Sequence, residues 1–216
     1  PSSSDLKIYY ANILSSNDGY NQLIESISKH NPDIIVLLEL NSRWKDTLMG
    51  LEKMYPHQIQ LPREDNFGMG IFSKFEFLNK EFLKGKADVE SILFQIKDLT
   101  ILATHPVPPV SPEYWKLRNN QYKEIEEYIN RIEGSKVLIG DLNTVPWSSF
   151  LSRLSKDTNL KMVNTFEDTW NSAFPVGMRI RLDHVFISKN LLGSLEILEG
   201  VGSDHLPMLL KLKYKK

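Results

Sequence analysis

The sequence predicts an α/β fold in a single domain, and three observations carry that prediction. Short apolar runs rich in β-branched and aromatic residues recur along the whole chain. Two longer segments between them place their apolar residues on one helical face. The chain has 216 residues, 41% of them hydrophobic, enough for one continuous core. No internal repeat or low-complexity stretch divides it, so residues 6–216 read as one domain, and the polar stretch Pro1–Asp5 reads as a tail.

Taken in order, Leu6–Ile13 is the first predicted strand, and Tyr20–His30 is a helix with Leu23, Ile24 and Ile27 on one face. Asp33–Leu40 is a second strand, followed by a helical pattern over Asn41–Met54. Met69–Ser73, Ser91–Ile96 and Thr100–Thr104 are further strands. Glu113–Ile132 is the long helix, with Tyr114, Leu117, Tyr122, Ile125, Tyr128, Ile129 and Ile132 along one side. Lys136–Ile139 is a strand. Ser148–Ser155 is a short helix that opens after Pro146, with serines able to cap its first turn. His184–Ser188 and Pro207–Leu212 complete the strands. Runs that are apolar on both faces need cover on both, whereas the alternating Ser91–Ile96 is expected to face a core on one side only. Two packed sheets with helices outside would satisfy both kinds, and so, by pattern alone, would an open parallel sheet.

Charge and composition narrow the chemistry. With 26 Lys and Arg against 27 Asp and Glu, the formal net charge is −1, so no overall positive field draws in a nucleic acid or an anionic membrane. The absence of cysteine excludes disulfides, thiolate metal sites and thiol nucleophiles. No apolar run approaches the ~20 residues that span a bilayer.

The informative polar residues stand at strand ends. Asn12 closes the first strand, Glu39 the second, and His105 follows Thr100–Thr104. Asp141 and Asn143 follow Lys-Val-Leu-Ile-Gly, Asp183 and His184 open a strand, and Asp204 with His205 precede the last. Strand ends facing one sheet edge bring sequence-distant groups together, as rigid scaffolds do when they build active sites. Singly, each has an ordinary explanation. The asparagines and Asp141 suit turns, His105 beside Pro106 suits a loop, and Asp204–His205 suits a turn cap. Glu39 is harder to dismiss, because a carboxylate after Ile-Ile-Val-Leu-Leu must be exposed, paired or bound to a cation.

In order along the chain, Asn12, Pro32-Asp33 running into Glu39, Asn66–Ser73, Thr104-His105, Gly140-Asp-Leu-Asn143, Arg181-Leu-Asp-His184 and Ser203-Asp-His205 resemble the endonuclease/exonuclease/phosphatase family. The resemblance implies a four-layered α/β-sandwich, two packed mixed β-sheets flanked by helices, and hydrolysis of phosphate esters with Mg²⁺, or Mn²⁺ in its place. Glu39 then matches the principal metal ligand, with Asn12 and Asp204 near the ion. Asp141 and Asn143 match groups that position the attacking water and a phosphate oxygen. His205 matches the catalytic histidine, and Asp183 the carboxylate that orients it and raises its basicity. His105 matches a second histidine, a donor to the phosphate or the leaving group.

Departures narrow the branch. Abasic-site endonucleases of the family resemble one another in an acid two residues after the first-strand asparagine and a tyrosine at the His105 position, where this chain has Leu14 and His105. Pro146-Trp147-Ser148 and Thr165–Trp170 are similar to bacterial members, several of which carry membrane-spanning segments before the domain. That leads to the expectation of a membrane anchor before Pro1 and an extracytoplasmic location. Arg118, with Lys116, Trp147 and Trp170, would line a substrate groove, although both tryptophans also suit simple packing. Arg179 and Arg181 are further local cations for a nucleic acid. The substrate is thus a nucleic acid, a phospholipid or a small phosphodiester, and no protein partner is implied. A catalytically silent binding domain on the same fold is the competing class, which the joint retention of the acids and histidines disfavours.

Overall fold

The structure, a computed structural model, describes residues 5–215; the expected tail over Pro1–Asp5 lies outside them apart from the exposed Asp5. Twelve strands form along the described chain. They are β1 (Leu6–Asn12), β2 (Ile34–Leu38), β3 (His57–Leu61), β4 (Met69–Ser73), β5 (Asn79–Lys84) and β6 (Glu90–Ile96), then β7 (Leu99–Thr104), β8 (Ser135–Asp141), β9 (Leu160–Met162), β10 (Asp183–Ser188), β11 (Leu191–Ile197) and β12 (Met208–Tyr214). Four α-helices accompany them: α1 (Tyr20–His30), α2 (Ser42–Thr47), α3 (Pro112–Arg131) and α4 (Ser149–Asp157).

The strands make two six-stranded sheets, ordered β11-β12-β1-β2-β4-β3 and β5-β6-β7-β8-β10-β9. Each has one parallel pair, β1 with β2 and β7 with β8, and a helix returns the chain between the members of each pair. All other pairings are antiparallel. Pattern alone left an open parallel sheet in play; the side chains decide for a sandwich. In β1, Ile8 and Tyr10 enter a core between the sheets with Val36, Phe94, Ile101, Val185 and Leu210. Their neighbours Tyr9 and Ala11 turn outward onto Leu23 and Ile27 of α1 and Trp44 of α2. On the other sheet Leu102, Leu138 and Phe186 turn outward onto Tyr122, Ile125 and Ile129 of α3 and Leu151 and Leu154 of α4. The result is helices, sheet, sheet, helices, the four layers the resemblance implied. A fully buried aliphatic side chain contributes ~1.5–3 kcal/mol, so the inter-sheet core is the main source of stability.

Local expectations fare differently. Asn41–Met54 is not one helix. Asn41 caps α2 by accepting from the Trp44 amide at 2.9 Å, and Leu48–Lys53, which contains Gly50, continues as a 3₁₀ turn. The predicted serine cap of α4 forms, Ser148 Oγ accepting from the Leu151 amide at 3.3 Å. Strand β6 is covered on both faces. Ile92, Phe94 and Ile96 enter the inter-sheet core, while Leu93 packs under α3 and Ser91 hydrogen-bonds Thr104, which corrects the one-sided reading. Among the described residues, no helix is long and apolar enough to cross a membrane.

Candidate active site

The topology explains why the polar residues meet. Parallel pairing sends the C-terminal ends of β1, β2, β7 and β8 to one edge of the sandwich, carrying Asn12, Glu39, His105 and Asp141. Strands β10 and β12 run against their neighbours, so their N-terminal ends arrive at the same edge with Asp183 and, just before β12, Asp204 and His205. Register completes the placement, since Asp183 pairs with Asp141 across β10 and β8. Gly140 is required in that frame: it pairs with Thr104, and a Cβ there would lie 1.9 Å from the Thr104 carbonyl oxygen.

His205 and Asp183 form a buried pair, with His205 Nδ1 donating to Asp183 Oδ2 at 2.8 Å. Asp183 is wholly inaccessible. It also accepts from the Thr169 hydroxyl at Oδ2 and from the Tyr10 hydroxyl at Oδ1, 2.6 Å away. Burial would raise its pKa, yet the His205 charge and these hydrogen bonds hold it below the ordinary carboxylate value. Burial likewise works against a charged His205, but the Asp183 charge and hydrogen bond, aided by Asp141 and Asp204, push it up to about 10. Tyr10 sits far above its ordinary value through burial and the nearby Asp183 charge, so it stays a donor. The pair therefore fixes the imidazole with Nδ1 protonated and Nε2 aimed into the site.

At the centre lies Asp141 Oδ2, 3.6 Å from both His205 Nε2 and His105 Nε2. These gaps exceed hydrogen-bond length, so two imidazole nitrogens converge on one anionic oxygen without being consumed by it. Asp141 Oδ1 accepts from the Asn143 amide at 2.9 Å. Burial, then the Asp183 charge, raises the Asp141 pKa against the opposing pull of His205 and His105. His105 Nδ1 has no partner among the described residues, and its ring lies 5.2 Å from that of Phe67.

Glu39 sits beside this group. Asn12 Nδ2 donates to Glu39 Oε1 at 2.9 Å and lies 3.5 Å from Asp141 Oδ2, and the Ser15 amide donates to Glu39 Oε2 at 3.3 Å. Three non-glycine residues around the site, Leu14, Glu39 and Asn143, have left-handed backbones with φ of 54°, 64° and 48°. Such strain costs on the order of 1 kcal/mol each and tends to gather at functional sites. Ligand atoms of Asp141, Asp183 and His205 lie within 4.8 Å of one another, a buried group able to hold a metal ion. Asp183 and His205 are committed to each other, however, whereas Glu39 and Asp141 keep unfilled lone pairs. Two carboxylates that are nearly buried, with an asparagine between them, fit a hard divalent cation.

Other predicted residues lie further out. Asp204 directs Oδ2 to the indole N–H of Trp170 at 2.9 Å and Oδ1 towards Ser203 Oγ at 3.5 Å. Among the described residues no hydrogen bond joins it to Glu39 or Asn12. Trp170 bridges to His205 through its backbone, so it positions the histidine loop. The Arg118 guanidinium donates to the Asn143 carbonyl at 3.0 Å and covers the Tyr122 ring. Two expectations are corrected. The packing alternative for Trp147 does not hold, since its side chain, in the turn before α4, stands 73% exposed. Arg179 and Arg181 brace the loop before β10, donating to the carbonyls of Ser172, Phe174 and Thr165; Arg181 is buried and so offers no free cation to a nucleic acid. His184 points away from the site. It contacts the Thr144 carbonyl at 2.8 Å, and burial lowers it to about 4, so it is neutral and holds the Asn143 loop.

Tyr10 was missed by sequence reasoning, and so was the role of Ser203. Tyr10 lies two residues before Asn12, hence on the same face of β1, so strand alternation pointed to it. Ser203 Oγ donates to the Asn12 carbonyl at 2.7 Å and accepts from the His205 amide at 3.1 Å, tying the histidine loop to β1. Nothing in the sequence marks that tie.

Comparison with known proteins accords with this geometry. A model of the Endonuclease/Exonuclease/phosphatase family matches residues 9–205. No curated protein matches the chain. Among solved structures, D. rerio TDP2 complexed with single-strand DNA product matches with a TM-score of 0.79 at 17% identity, covering 98% of this chain and 100% of that one. A variant of beta toxin from Staphylococcus aureus with bound magnesium ions matches with 0.72 at 20%, covering 99% and 100%. The mannosyl-6-phosphatase of Bacteroides thetaiotaomicron matches with 0.69 at 16%, covering 97% and 100%. At such identities these likenesses establish the fold, while the family match spans nearly the whole sequence and includes every strand end described above. The chain belongs to the endonuclease/exonuclease/phosphatase family of metal-dependent phosphoester hydrolases.

Proposed function

We propose that the protein is a Mg²⁺-dependent phosphodiesterase. One observation carries the reading: His105 and His205, on different loops, aim Nε2 atoms at the same oxygen of buried Asp141 across gaps of 3.6 Å. A phosphoryl group needs positioned donors for its oxygens and a site for the attacking water, and little covalent chemistry besides. Glu39, with Asn12 beside it and Asp204 at the rim, would hold the ion, which when bound supplies charge neutralisation for the phosphate. Asp141 and Asn143 orient the attacking water and a phosphate oxygen. His205, locked by Asp183, holds a proton at Nε2 for exchange with the reacting oxygens, and His105 donates to the phosphate or the leaving group. Trp170 and Arg118 border the bound substrate.

A second reading is favoured by exposed apolar side chains in the loops that follow β7, β8 and β9, Val110, Trp147, Phe166 and Val176, which suit an amphiphilic phosphodiester. A Mg²⁺-dependent activity panel over DNA, RNA, phospholipids, inositol phosphates, sugar phosphates and aryl phosphodiesters tests both. Turnover of diesters well above monoesters supports the first. A phospholipid preferred over every soluble diester selects the second. No metal-stimulated hydrolysis of any ester rejects both and leaves the silent domain.

A further inference from the structure

A cleft of about 610 Å³ opens between α3 and the start of α4. Its wall carries four cations, Lys116, Arg118, Lys123 and Arg153, and no carboxylate. In a chain of net charge −1 that is a local concentration of positive charge. Arg153 is paired with Glu126 at 3.1 Å, whereas Lys116 and Lys123 have no ion-pair partner among the described residues. Trp115 and Asn119, one turn apart on α3, lie on the same wall, and Trp115 is half exposed. Arg118 connects the cleft to the site, since its guanidinium holds the carbonyl of Asn143. Thr144, the next residue, lines the cleft itself.

We propose that this cleft is a second phosphate subsite, which takes the neighbouring phosphate of a nucleotide strand while the scissile one lies between His105 and His205. The inference rests on the phosphodiesterase reading of the site. Lysines contact the second phosphate as mobile point charges, Trp115 offers an aromatic face to a base, and Asn119 offers an amide to its edge. The substrate is then a short single strand, recognised by consecutive phosphates.

The test compares p-nitrophenyl esters of thymidine 5′-phosphate with and without a 3′-phosphate, and the reversed pair of thymidine 3′-phosphate esters with and without a 5′-phosphate, all in Mg²⁺. In one polarity the second phosphate should raise kcat/KM about tenfold, chiefly through KM, as charge-assisted contacts of this kind do. The Lys116→Ala/Lys123→Ala variant, altered only at exposed positions, should reduce that preference to within about twofold, while Lys80→Ala on β5 retains it. Binding of unesterified thymidine 3′,5′-bisphosphate in EDTA, followed by calorimetry, reads the cleft without catalysis and should weaken by a similar factor in the double variant. Equal kcat/KM for both members of both pairs, with bisphosphate binding unchanged by the double substitution, overturns the proposal. Absence of hydrolysis with any ester rejects the phosphodiesterase reading instead, and the calorimetry still reports on the cleft.

Discussion

Replacing Asp183 by Asn removes one negative charge from behind His205 and leaves the volume almost unchanged. The amide oxygen can still accept from Thr169 and His205, while the Tyr10 hydroxyl can turn to accept from the new NH₂ group, so the loss is chiefly electrostatic. The surroundings lift His205 from 6.5 to about 10, which corresponds to an interaction on the order of 5 kcal/mol. Part of this comes from Asp141 and Asp204, and breaking one side of a buried ion pair costs about 3–5 kcal/mol. A destabilisation of about 3 kcal/mol at pH 6 follows, equivalent to a fall in Tm of roughly 6–12 °C. The folded pKa of His205 lies above its unfolded one, so its contribution is complete below about 6.5 and is lost as the pH rises through about 10. Asp183 is depressed, so its contribution is present above 3.8 and is lost on acidification through its lower folded value. Urea denaturation of both proteins in EDTA from pH 5 to 10.5 should therefore show a stability gap that is widest near pH 6 and narrows towards pH 10. A gap independent of pH, or an imidazole NMR titration placing His205 near 6.5 in the unsubstituted protein, would refute the reasoning.

Two further predictions address register and branch. Gly140→Ala should unfold the protein or lower its stability by more than about 3 kcal/mol, because the Cβ would meet the Thr104 carbonyl and force β7 and β8 apart; thermal melts within a few degrees of the parent would contradict the register. Cleavage of an abasic-site duplex should not exceed that of an intact duplex or an aryl phosphodiester at equal Mg²⁺ and salt. The reason is that Leu14 cannot ligate a metal and His105 stands where those enzymes have tyrosine; a strong abasic preference in initial rates would reverse the assignment.

The legible and illegible parts of the fold divide along the sheet edges. All eight strands read from the sequence lie inside the two sheets, where burial from both sides leaves unbroken apolar runs such as Ile34–Leu38 and, more briefly, Val185–Ile187. The four missed strands, β3, β5, β9 and β11, are the four sheet edges. An edge strand pairs along one side only and faces solvent, so β5 reads Asn-Lys-Glu-Phe-Leu-Lys, with Phe82 itself half exposed, and carries no hydrophobic signal. For the site, the strand-end acids and histidines were visible because each interrupts an apolar run. Tyr10 was hidden because a tyrosine in a strand looks like core, and Ser203 because its two hydrogen bonds exist only once β1 and the His205 loop meet. Arg181 misled because the sequence does not say that the side chain will be buried against a backbone carbonyl.

The proposed chemistry depends on a divalent ion held at Glu39, which contacts Asn12 and the Ser15 amide beside Asp141. The most direct measurement is a Mg²⁺ titration of hydrolysis of one aryl phosphodiester by the parent protein and by Glu39→Gln, with folding checked by circular dichroism. Removing one carboxylate from a hard-cation site should raise the Mg²⁺ concentration for half-maximal activity at least tenfold and lower the plateau about a hundredfold. A Glu39→Gln protein that is folded and follows the parent's Mg²⁺ curve would contradict the assignment of the metal to Glu39.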